Sequence, residues 1–184
     1  MDIKDDIEKV LIDKEELAAI CKRLGAEISR DYEGKNLLLV SVLKGSILFM
    51  ADLMREITCY CKTDFLEVSS YEGGLKTTGI VKFKKDIDVN PQGCDIIFVE
   101  DILDSGITLS YIKKVFQDRH ANSIKICTLL DKPANRKADI QADYVGKVIP
   151  DGFIVGYGLD YEEKYRNLPF IGYLSPRIYE KDNK

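Results

Sequence analysis

The chain has 184 residues and a formal net charge of −4, with 45% hydrophobic and 32% charged residues. This length suits one domain of ordinary size and is too short for two large ones. The composition is that of a globular protein and argues against disordered and fibrous classes. The net charge indicates no nucleic-acid or membrane surface. It leaves an anionic substrate open, because a few placed cations and a metal ion can set the local field.

Histidine and cysteine content argues against several enzyme classes. The five cysteines match no disulfide framework or zinc spacing, and Cys59 and Cys61 form a CxC with no second pair nearby. His120 is the only histidine in the sequence, so a Ser-His-Asp or Cys-His mechanism has little support. The N-terminus is acidic without an apolar signal region, and no apolar stretch matches a membrane span. We therefore expect a cytoplasmic protein.

Strand and helix patterns alternate along the chain. In chain order, the patterns predict a strand over 8–12, a helix over 14–30, a strand over 36–42, a helix over 47–57, strands over 62–69, 79–84 and 95–99, a helix over 109–116, and strands over 124–130 and 153–157. Asp13 followed by Glu16 fits a capping box at the first helix. Residues 70–78 predict a loop, and 131–152 a polar, turn-rich connection. This order predicts an α/β fold with a central, mostly parallel sheet flanked by helices.

Polar residues follow several of the predicted strands. Lys44 and Gly45 follow one strand, Glu100 and Asp101 another, and Lys132 a third. Parallel α/β sheets bind ligands at the carboxyl ends of their strands, near the point where the strand order reverses. We therefore expect the functional site at this edge of the sheet.

The segment 97–109, IFVEDILDSGITL, carries the strongest chemical pattern. A buried strand leads into two acids and then into a small-residue turn that opens a helix. The first N–H groups of a helix lack intrahelical partners and favour a phosphate, and Gly106 allows close approach of the backbone. Ser105 and Thr108 add hydroxyl groups, while Glu100 and Asp101 point to opposite sides of the strand. Carboxylates beside a phosphate site suit Mg²⁺ or sugar hydroxyls.

An ordinary helix N-cap is the alternative interpretation of this turn, with Asp104 or Ser105 as the capping residue. Such a cap does not require two acids after an apolar strand, where an unused carboxylate is costly. The functional interpretation is therefore favoured.

The 97–109 segment resembles the phosphoribosyl pyrophosphate signature of the type I phosphoribosyltransferases. Further resemblance to the hypoxanthine–guanine branch extends over most of the chain. SVLKGSILFMADL at 41–53 is similar to its pyrophosphate-binding loop, and VSSYEGG at 68–74 to its mobile loop. LLDKP at 129–133 and the segment 150–169 are similar to its purine-recognition region. The resemblance implies one domain over 1–184, with a core of roughly 14–145 and a small hood from 1–13 and 146–184.

The resemblance implies a role for each residue of the signature. Asp104 would be the general base or acid near purine N7. The 5′-phosphate would be held by residues 104–108, that is by Asp104, Ser105, Gly106, Ile107 and Thr108. Ile107 stands where some relatives carry lysine, so it could contact the phosphate only through its backbone N–H. Glu100 and Asp101 would hold ribose hydroxyls and Mg²⁺, and Asp160 would help to hold a second Mg²⁺.

The remaining implied roles concern pyrophosphate, closure and the base. Lys44 and Gly45 would bind pyrophosphate, with a cis peptide bond at Leu43–Lys44, and Arg166 would bind it through its fork of donors. Ser70 and Tyr71 would close over the site. The base would meet Lys132 at its 6-oxygen, Phe153 on its face, and backbone groups near Ile154 and Asp160 at its 2-position. Asp131 would place a further charge near the base pocket.

Taken singly, these residues also have ordinary interpretations. Lys44 and Lys132 could be surface lysines at strand ends, Phe153 could be a core residue, and Asp160 and Arg166 a surface ion pair. The resemblance implies phosphoribosyl pyrophosphate, a 6-oxopurine base, IMP or GMP, and pyrophosphate as ligands, Mg²⁺ as cofactor, and a homodimer or homotetramer without nucleic acid or membrane.

Two other functions remain open from the sequence. One is a transferase of the same fold for another base; Lys132 with Phe153 argues against adenine, whereas xanthine shares the 6-oxo group. The other is a regulatory protein that binds RNA or DNA, which should carry a basic face. Only the Lys-Lys pairs at 84–85 and 113–114 point that way. A generic nucleotide-binding domain has little support, because the sequence lacks both G-x-G-x-x-G and Walker A motifs.

Overall fold

A six-stranded sheet with helices on both faces forms the centre of the computed structural model, which describes residues 2–70 and 81–180. The elements are β1 (Ile7–Ile12), α1 (Lys14–Tyr32), β2 (Leu37–Leu43), α2 (Ile47–Glu56), β3 (Cys61–Ser70), β4 (Val81–Lys85), β5 (Asp95–Leu103), α3 (Ile107–Asp118), β6 (Ser123–Asp131), β7 (Tyr144–Val148), β8 (Ile154–Val155), β9 (Ile171–Leu174) and α4 (Pro176–Tyr179). Single 3₁₀ turns cover Ile3–Asp6 and Pro133–Asn135.

The strand order of this sheet is β4-β3-β2-β5-β6-β7, and only the pairing of β4 with β3 is antiparallel. From β2 the chain continues to β3 on one side, whereas from β5 it continues to β6 on the other side. The strand order therefore reverses between β2 and β5. The central, mostly parallel α/β sheet predicted from the sequence is confirmed.

Two hydrophobic cores explain why β2 and β5 are continuous apolar runs. In β2, Leu37 and Leu39 pack with α1 and α2, while Leu38 and Val40 pack with α3 on the opposite face. Alternate side chains of β5 divide between the same two cores. Successive side chains of a strand point to opposite faces. When both faces are covered, all side chains are buried, and the strand is therefore apolar along most of its length.

A smaller, three-stranded antiparallel sheet brings the two ends of the chain together. Its order is β1-β9-β8, with Ile7 opposite Leu174 and Ile154 opposite Tyr173. This sheet and the loop 156–170 lie within the segments 1–13 and 146–184 for which the resemblance implies a hood, and we use the name hood for them from here on. The position of the hood beside the main sheet determines where residues 153–166 lie relative to the carboxyl ends of β2 and β5.

Several element boundaries differ from the predictions. β5 does not end before Glu100 but continues to Leu103, so both acids lie within the strand. The segment 131–152 contains an additional strand, β7, which pairs with β6 at the edge of the six-stranded sheet. The strand predicted over 153–157 is limited to β8 and is not the last, because β9 and α4 follow.

The described chain has neither a disulfide bond nor a helix suited to span a membrane. All five cysteines are free thiols, so none forms a disulfide. Within the ranges 2–70 and 81–180, no helix has the length and apolar character needed to cross a membrane.

The N-cap of α1 gives a first test of the structure. Asp13 accepts a hydrogen bond from Glu16 N at 2.8 Å, while the Glu16 carboxylate pairs with Lys147 at 2.5 Å rather than closing the predicted capping box. Asp13→Ala should lose about 1 kcal/mol of unfolding free energy, which corresponds to roughly 2–4 °C in Tm. Thermal unfolding followed by circular dichroism measures this loss. Asp13→Asn keeps an acceptor and should retain the wild-type Tm; equal losses for both variants would contradict the assignment.

Candidate active site

The reversal of strand order between β2 and β5 opens a crevice at the carboxyl ends of these strands. Their parallel register pairs Leu37 with Asp95 and Ser41 with Val99, so both strands end at the same edge of the sheet. The loop after β2 carries Lys44 and the turn after β5 carries Asp104. As predicted, the two chemically marked segments lie beside each other at a switch point.

The turn between β5 and α3 leaves its amide donors available. The N-cap of α3 is Gly106, which has φ +76° and no side-chain capping bond, so the alternative that Asp104 or Ser105 caps the helix is wrong. Asp104 is exposed at the mouth of the turn. The uncapped N–H groups and the positive end of the helix dipole together favour an anion.

A pocket of about 220 Å³ lies directly on this turn. It is lined by Glu100, Ile102, Leu103, Asp104, Ser105, Gly106, Thr108 and Leu109. Gly106 is required on two grounds: its left-handed φ disfavours other residues, and an added Cβ would lie 2.4 Å from Ile140 Cγ2. Ile107 is partly exposed, and its side chain is apolar, so only its N–H can serve a phosphate.

Glu100 and Asp101 point to opposite sides of β5, as predicted. Glu100 is only 8% exposed and lines the pocket of the turn, while Asp101 Oδ2 lies where a Cβ on Gly45 would be, at 1.7 Å. Burial raises the pKa of Glu100 well above its ordinary value, and the Asp101 charge raises it further. Burial also raises the pKa of Asp101 to about 6, although backbone N–H groups and Arg166 act in the opposite direction. A cationic or hydroxyl partner would therefore stabilise the ionised form of both carboxylates.

The loop after β2 is held tightly against both β5 and the hood. Its Leu43–Lys44 peptide bond is cis, as the resemblance implies. Besides the Asp101 contact, Gly45 O lies 2.0 Å from the position of a Cβ on Gly158. The buried hydroxyl groups of Ser41 and Ser46 meet at 2.7 Å and close the base of the loop. Glycine is therefore needed on both sides of this contact between core and hood.

Lys44 and Arg166 converge on one carboxylate oxygen. Glu163 Oε2 lies 3.1 Å from Lys44 Nζ and 3.3 Å from Arg166 Nη2. Asp160 Oδ1 pairs with Arg166 at 2.7 Å, and Arg166 Nε is buried without a hydrogen-bond partner among the described residues. Asp160 and Arg166 both act on the pKa of Asp101. These cations therefore bracket a space in which an anion can be bound.

The predicted base-binding residues also lie together. Lys132 is buried, and its ammonium donates to Gly152 O at 2.8 Å and to Asp151 at 3.3 Å. Phe153, which follows Gly152 in the chain, is 41% exposed, so the interpretation of Phe153 as a core residue is wrong. Its ring stacks on Tyr179 of α4 with centroids 5.0 Å apart. Ile154 is buried in β8, where its backbone adjoins the Phe153–Lys132 region.

The predictions for Ser70, Tyr71 and Asp131 have a different outcome from those above. Tyr71 lies outside the described residues, as does the side chain of Ser70, whose backbone ends β3. The carboxylate of Asp131, predicted as a further charge near the base pocket, pairs with Arg136.

Sequence reasoning missed Arg136, Asp151 and Tyr179. Each acts on a residue distant in sequence: Arg136 on the Asp104 carbonyl, Asp151 on Lys132 and Tyr179 on Phe153. Such long-range partners leave no local periodicity or spacing that could reveal them.

The acids in the crevice provide oxygen ligands, which Mg²⁺ prefers. Among the described residues, no three histidine, cysteine or carboxylate side chains form a cluster that could hold a metal ion by themselves. Mg²⁺ usually keeps several waters and is held by one or two carboxylates together with substrate phosphates. The arrangement of Asp101 and Asp160 around one end of the crevice fits that mode, with Glu100 turned to the other side.

The burial of Glu100 predicts a stability that depends on pH. Because the folded chain holds the proton of Glu100 more tightly than the unfolded chain, ionisation opposes folding, and stability is lost as pH rises above the ordinary carboxyl pKa. Glu100→Gln removes this loss, so its Tm should exceed that of the wild type by a margin that grows as the pH rises above the ordinary carboxyl pKa of 4.5. Differential scanning calorimetry tests this, with exposed Glu8→Gln as control. A margin independent of pH would contradict the assignment.

Comparison with known proteins agrees with this geometry. The phosphoribosyl transferase domain matches residues 10–162. A hypoxanthine-guanine phosphoribosyltransferase of Bacillus subtilis (strain 168) is 54% identical over 178 residues, which cover 97% of this chain and 99% of that protein. A crystal structure of a hypoxanthine phosphoribosyltransferase from Staphylococcus aureus has a TM-score of 0.93 at 51% identity and covers 96% of both chains.

A second crystal structure supports the same grouping. The hypoxanthine-guanine phosphoribosyltransferase of Bacillus anthracis, with a HEPES molecule in its active site, has a TM-score of 0.88 at 51% identity, covering 91% of this chain and 99% of that one. The family match over most of the chain and identities above half over nearly its whole length lead to one conclusion: the chain belongs to the phosphoribosyltransferase family, in its hypoxanthine-guanine branch.

Proposed function

We propose that this chain is a purine-salvage transferase. It transfers the 5-phosphoribosyl group of phosphoribosyl pyrophosphate to hypoxanthine and guanine, giving IMP or GMP and pyrophosphate. The observation that carries this proposal is the uncapped turn before α3, with its pocket and the buried carboxylate of Glu100, beside a cis loop at the strand reversal. The family membership and the names of the relatives support the same reaction.

The turn Asp104–Thr108 is proposed to hold the 5′-phosphate. Its N–H groups and the hydroxyls of Ser105 and Thr108 donate to the phosphate, while Glu100 meets the ribose hydroxyls from the wall of the same pocket. Asp104 stands at the mouth and exchanges a proton with the base near N7 as the glycosidic bond forms. Its carboxylate also tolerates the positive charge that develops on the ribose.

The base is proposed to lie between the Lys132 ammonium and the exposed Phe153 ring. An ammonium has three donors, and its two bonds to Gly152 and Asp151 leave one for the 6-oxygen. Adenine carries an amino group at that position, so two donors would face each other. Phe153 stacks on the purine, and backbone groups near Ile154 and Asp160 meet its 2-position.

Pyrophosphate is proposed to replace Glu163 between Lys44 and Arg166. These cations already share one carboxylate oxygen, and Arg166 Nε is a buried donor that a phosphate oxygen can satisfy. The backbone of Gly45 approaches the same space. The planar guanidinium of Arg166 suits two phosphate oxygens at once.

Mg²⁺ is proposed as the cofactor, held by Asp101 and Asp160 on one side and by Glu100 with the ribose on the other. When bound, it neutralises charge on the leaving pyrophosphate. The protein's own contribution is to hold these carboxylates in place. Desolvation raises the pKa of Glu100 and of Asp101, so a bound cation would stabilise the ionised form of both.

The remaining proposals concern regions or states that lie beyond these contacts. We infer that Ser70 and Tyr71 close over the site and exclude water. We further propose a single domain with core and hood, a homodimer or homotetramer, and a cytoplasmic location. A nucleic-acid-binding regulator has less support, because of the two Lys-Lys pairs the one at 84–85 is already matched by acids: Lys84 pairs with Glu67, and Lys85 with Asp88 and Asp64.

A base-selectivity assay tests the proposal directly. The purified chain is incubated with phosphoribosyl pyrophosphate, Mg²⁺ and, in turn, hypoxanthine, guanine, xanthine or adenine, and nucleotide formation is followed by absorbance. Hypoxanthine and guanine should turn over and adenine should not, because Lys132 opposes its amino group. Binding of phosphoribosyl pyrophosphate without turnover of any base would instead favour the regulatory function.

Asp104 can be tested by a change that keeps its shape. Asp104→Asn should lower kcat by roughly 10²-fold or more while the KM values change little, because the proton transfer and the negative charge facing the ribose both act in the transition state. Asp118→Asn, at the opposite end of α3, serves as the control. Near-normal turnover of the Asp104 variant would remove Asp104 from the proton-transfer role.

A further inference from the structure

The segment that follows β6 supports the phosphate turn from behind. Lys132 N donates to Leu103 O at 3.0 Å, and Lys137 N donates to Ser105 O at 2.9 Å. Both carbonyls belong to the end of β5 and the turn that follows it. The segment 132–138 therefore lies along the back of the turn, on the side away from the pocket.

The carbonyl between these two is bound by a side chain instead of by backbone. Arg136 Nη1 donates to Asp104 O at 2.6 Å, and Arg136 Nη2 contacts the Asp131 carboxylate. The side chains of Arg136 and Asp131 are only 15% and 14% exposed. A charged pair at this depth is held in one geometry, unlike a mobile surface pair.

The planarity of the peptide bond links this contact to the phosphate site. In a trans peptide, the C=O of one residue and the N–H of the next point in opposite directions. Holding the Asp104 carbonyl at the back of the turn directs the Ser105 N–H toward the front, where Thr108 and Glu100 line the pocket. The Arg136 chain also packs under Gly106, with Cδ 3.1 Å from the position of an added Cβ.

We propose that Arg136 is a positioning residue for the 5′-phosphate, acting through the Asp104–Ser105 peptide and oriented by Asp131. This inference rests on the proposed function. It assigns to Arg136 no contact with substrate. Its effect is therefore confined to ligands that carry a 5′-phosphate, although the residue lies only four positions from Lys132, which reads the base.

The test compares a nucleotide with its nucleoside. Dissociation constants of IMP and inosine are measured by calorimetry for the wild type and for Arg136→Met. IMP should bind about tenfold more weakly or worse, because an oriented donor to a charged group is lost, and inosine affinity should not change. In turnover, the KM for phosphoribosyl pyrophosphate should rise while that for hypoxanthine stays constant.

Two further variants keep the test decisive. Arg136→Lys retains the charge but cannot bridge Asp104 O and Asp131, so it should show the same selective loss even where the methionine variant folds poorly. Arg119→Met breaks a comparable fork to Asp86, at 2.8 and 2.6 Å, at the far end of α3 and should leave both affinities unchanged.

Equal losses for IMP and inosine in the Arg136 variants would assign the residue a general structural role and overturn the inference. Wild-type affinity for both ligands in the Arg136 variants would overturn it as well. A wild-type protein that binds IMP no better than inosine would refute the proposed function itself, and the inference with it.

Discussion

The parallel pairing of β2 with β5 is the constraint on which the site depends. It places the cis loop and the phosphate turn at adjacent strand ends, although more than 50 residues separate them in the chain. Pairing at this distance requires Gly45, because Asp101 fills the space that a side chain would occupy. The hood then docks on the same loop through Gly158. One close approach of backbones therefore brings the regions proposed to bind phosphate, pyrophosphate and the base within reach of a single ligand.

Two acids at this junction work against stability. Glu100 is buried and Asp101 partly buried in a strand whose preceding apolar side chains fill both hydrophobic cores, and desolvation raises the pKa of each. The cores hold the acids in place at a cost that a cation or sugar hydroxyls can offset only when ligand is bound. Such strain in the free chain is typical of sites whose binding energy is directed at the reacting groups.

The sequence was informative where a local pattern determined the structure. The apolar runs of β2 and β5 and the turn before α3 were predicted because burial on both faces and a small-residue turn leave direct signals. β5 was predicted too short, since acids usually end a buried strand, and here they continue it. β7 was missed because Gly146 and Lys147 interrupt its five residues, which leaves neither an apolar run nor a clear alternation. Arg136 had no signal, because its partner is a backbone carbonyl 32 positions away.

Each cation expected to meet substrate already has a carboxylate partner: Lys44 has Glu163, Arg166 has Asp160, and Lys132 has Asp151. A buried cation without any partner would be costly, whereas a tight buried pair would be hard to open. The Lys44 pair avoids both extremes, because both of its side chains are more than half exposed. Exposed pairs contribute only about 0–1 kcal/mol each. An incoming phosphate can therefore replace Glu163 at Lys44 at little cost, while Lys132 keeps its two partners and the backbone donors of the turn before α3, held from behind by Arg136, need no exchange at all.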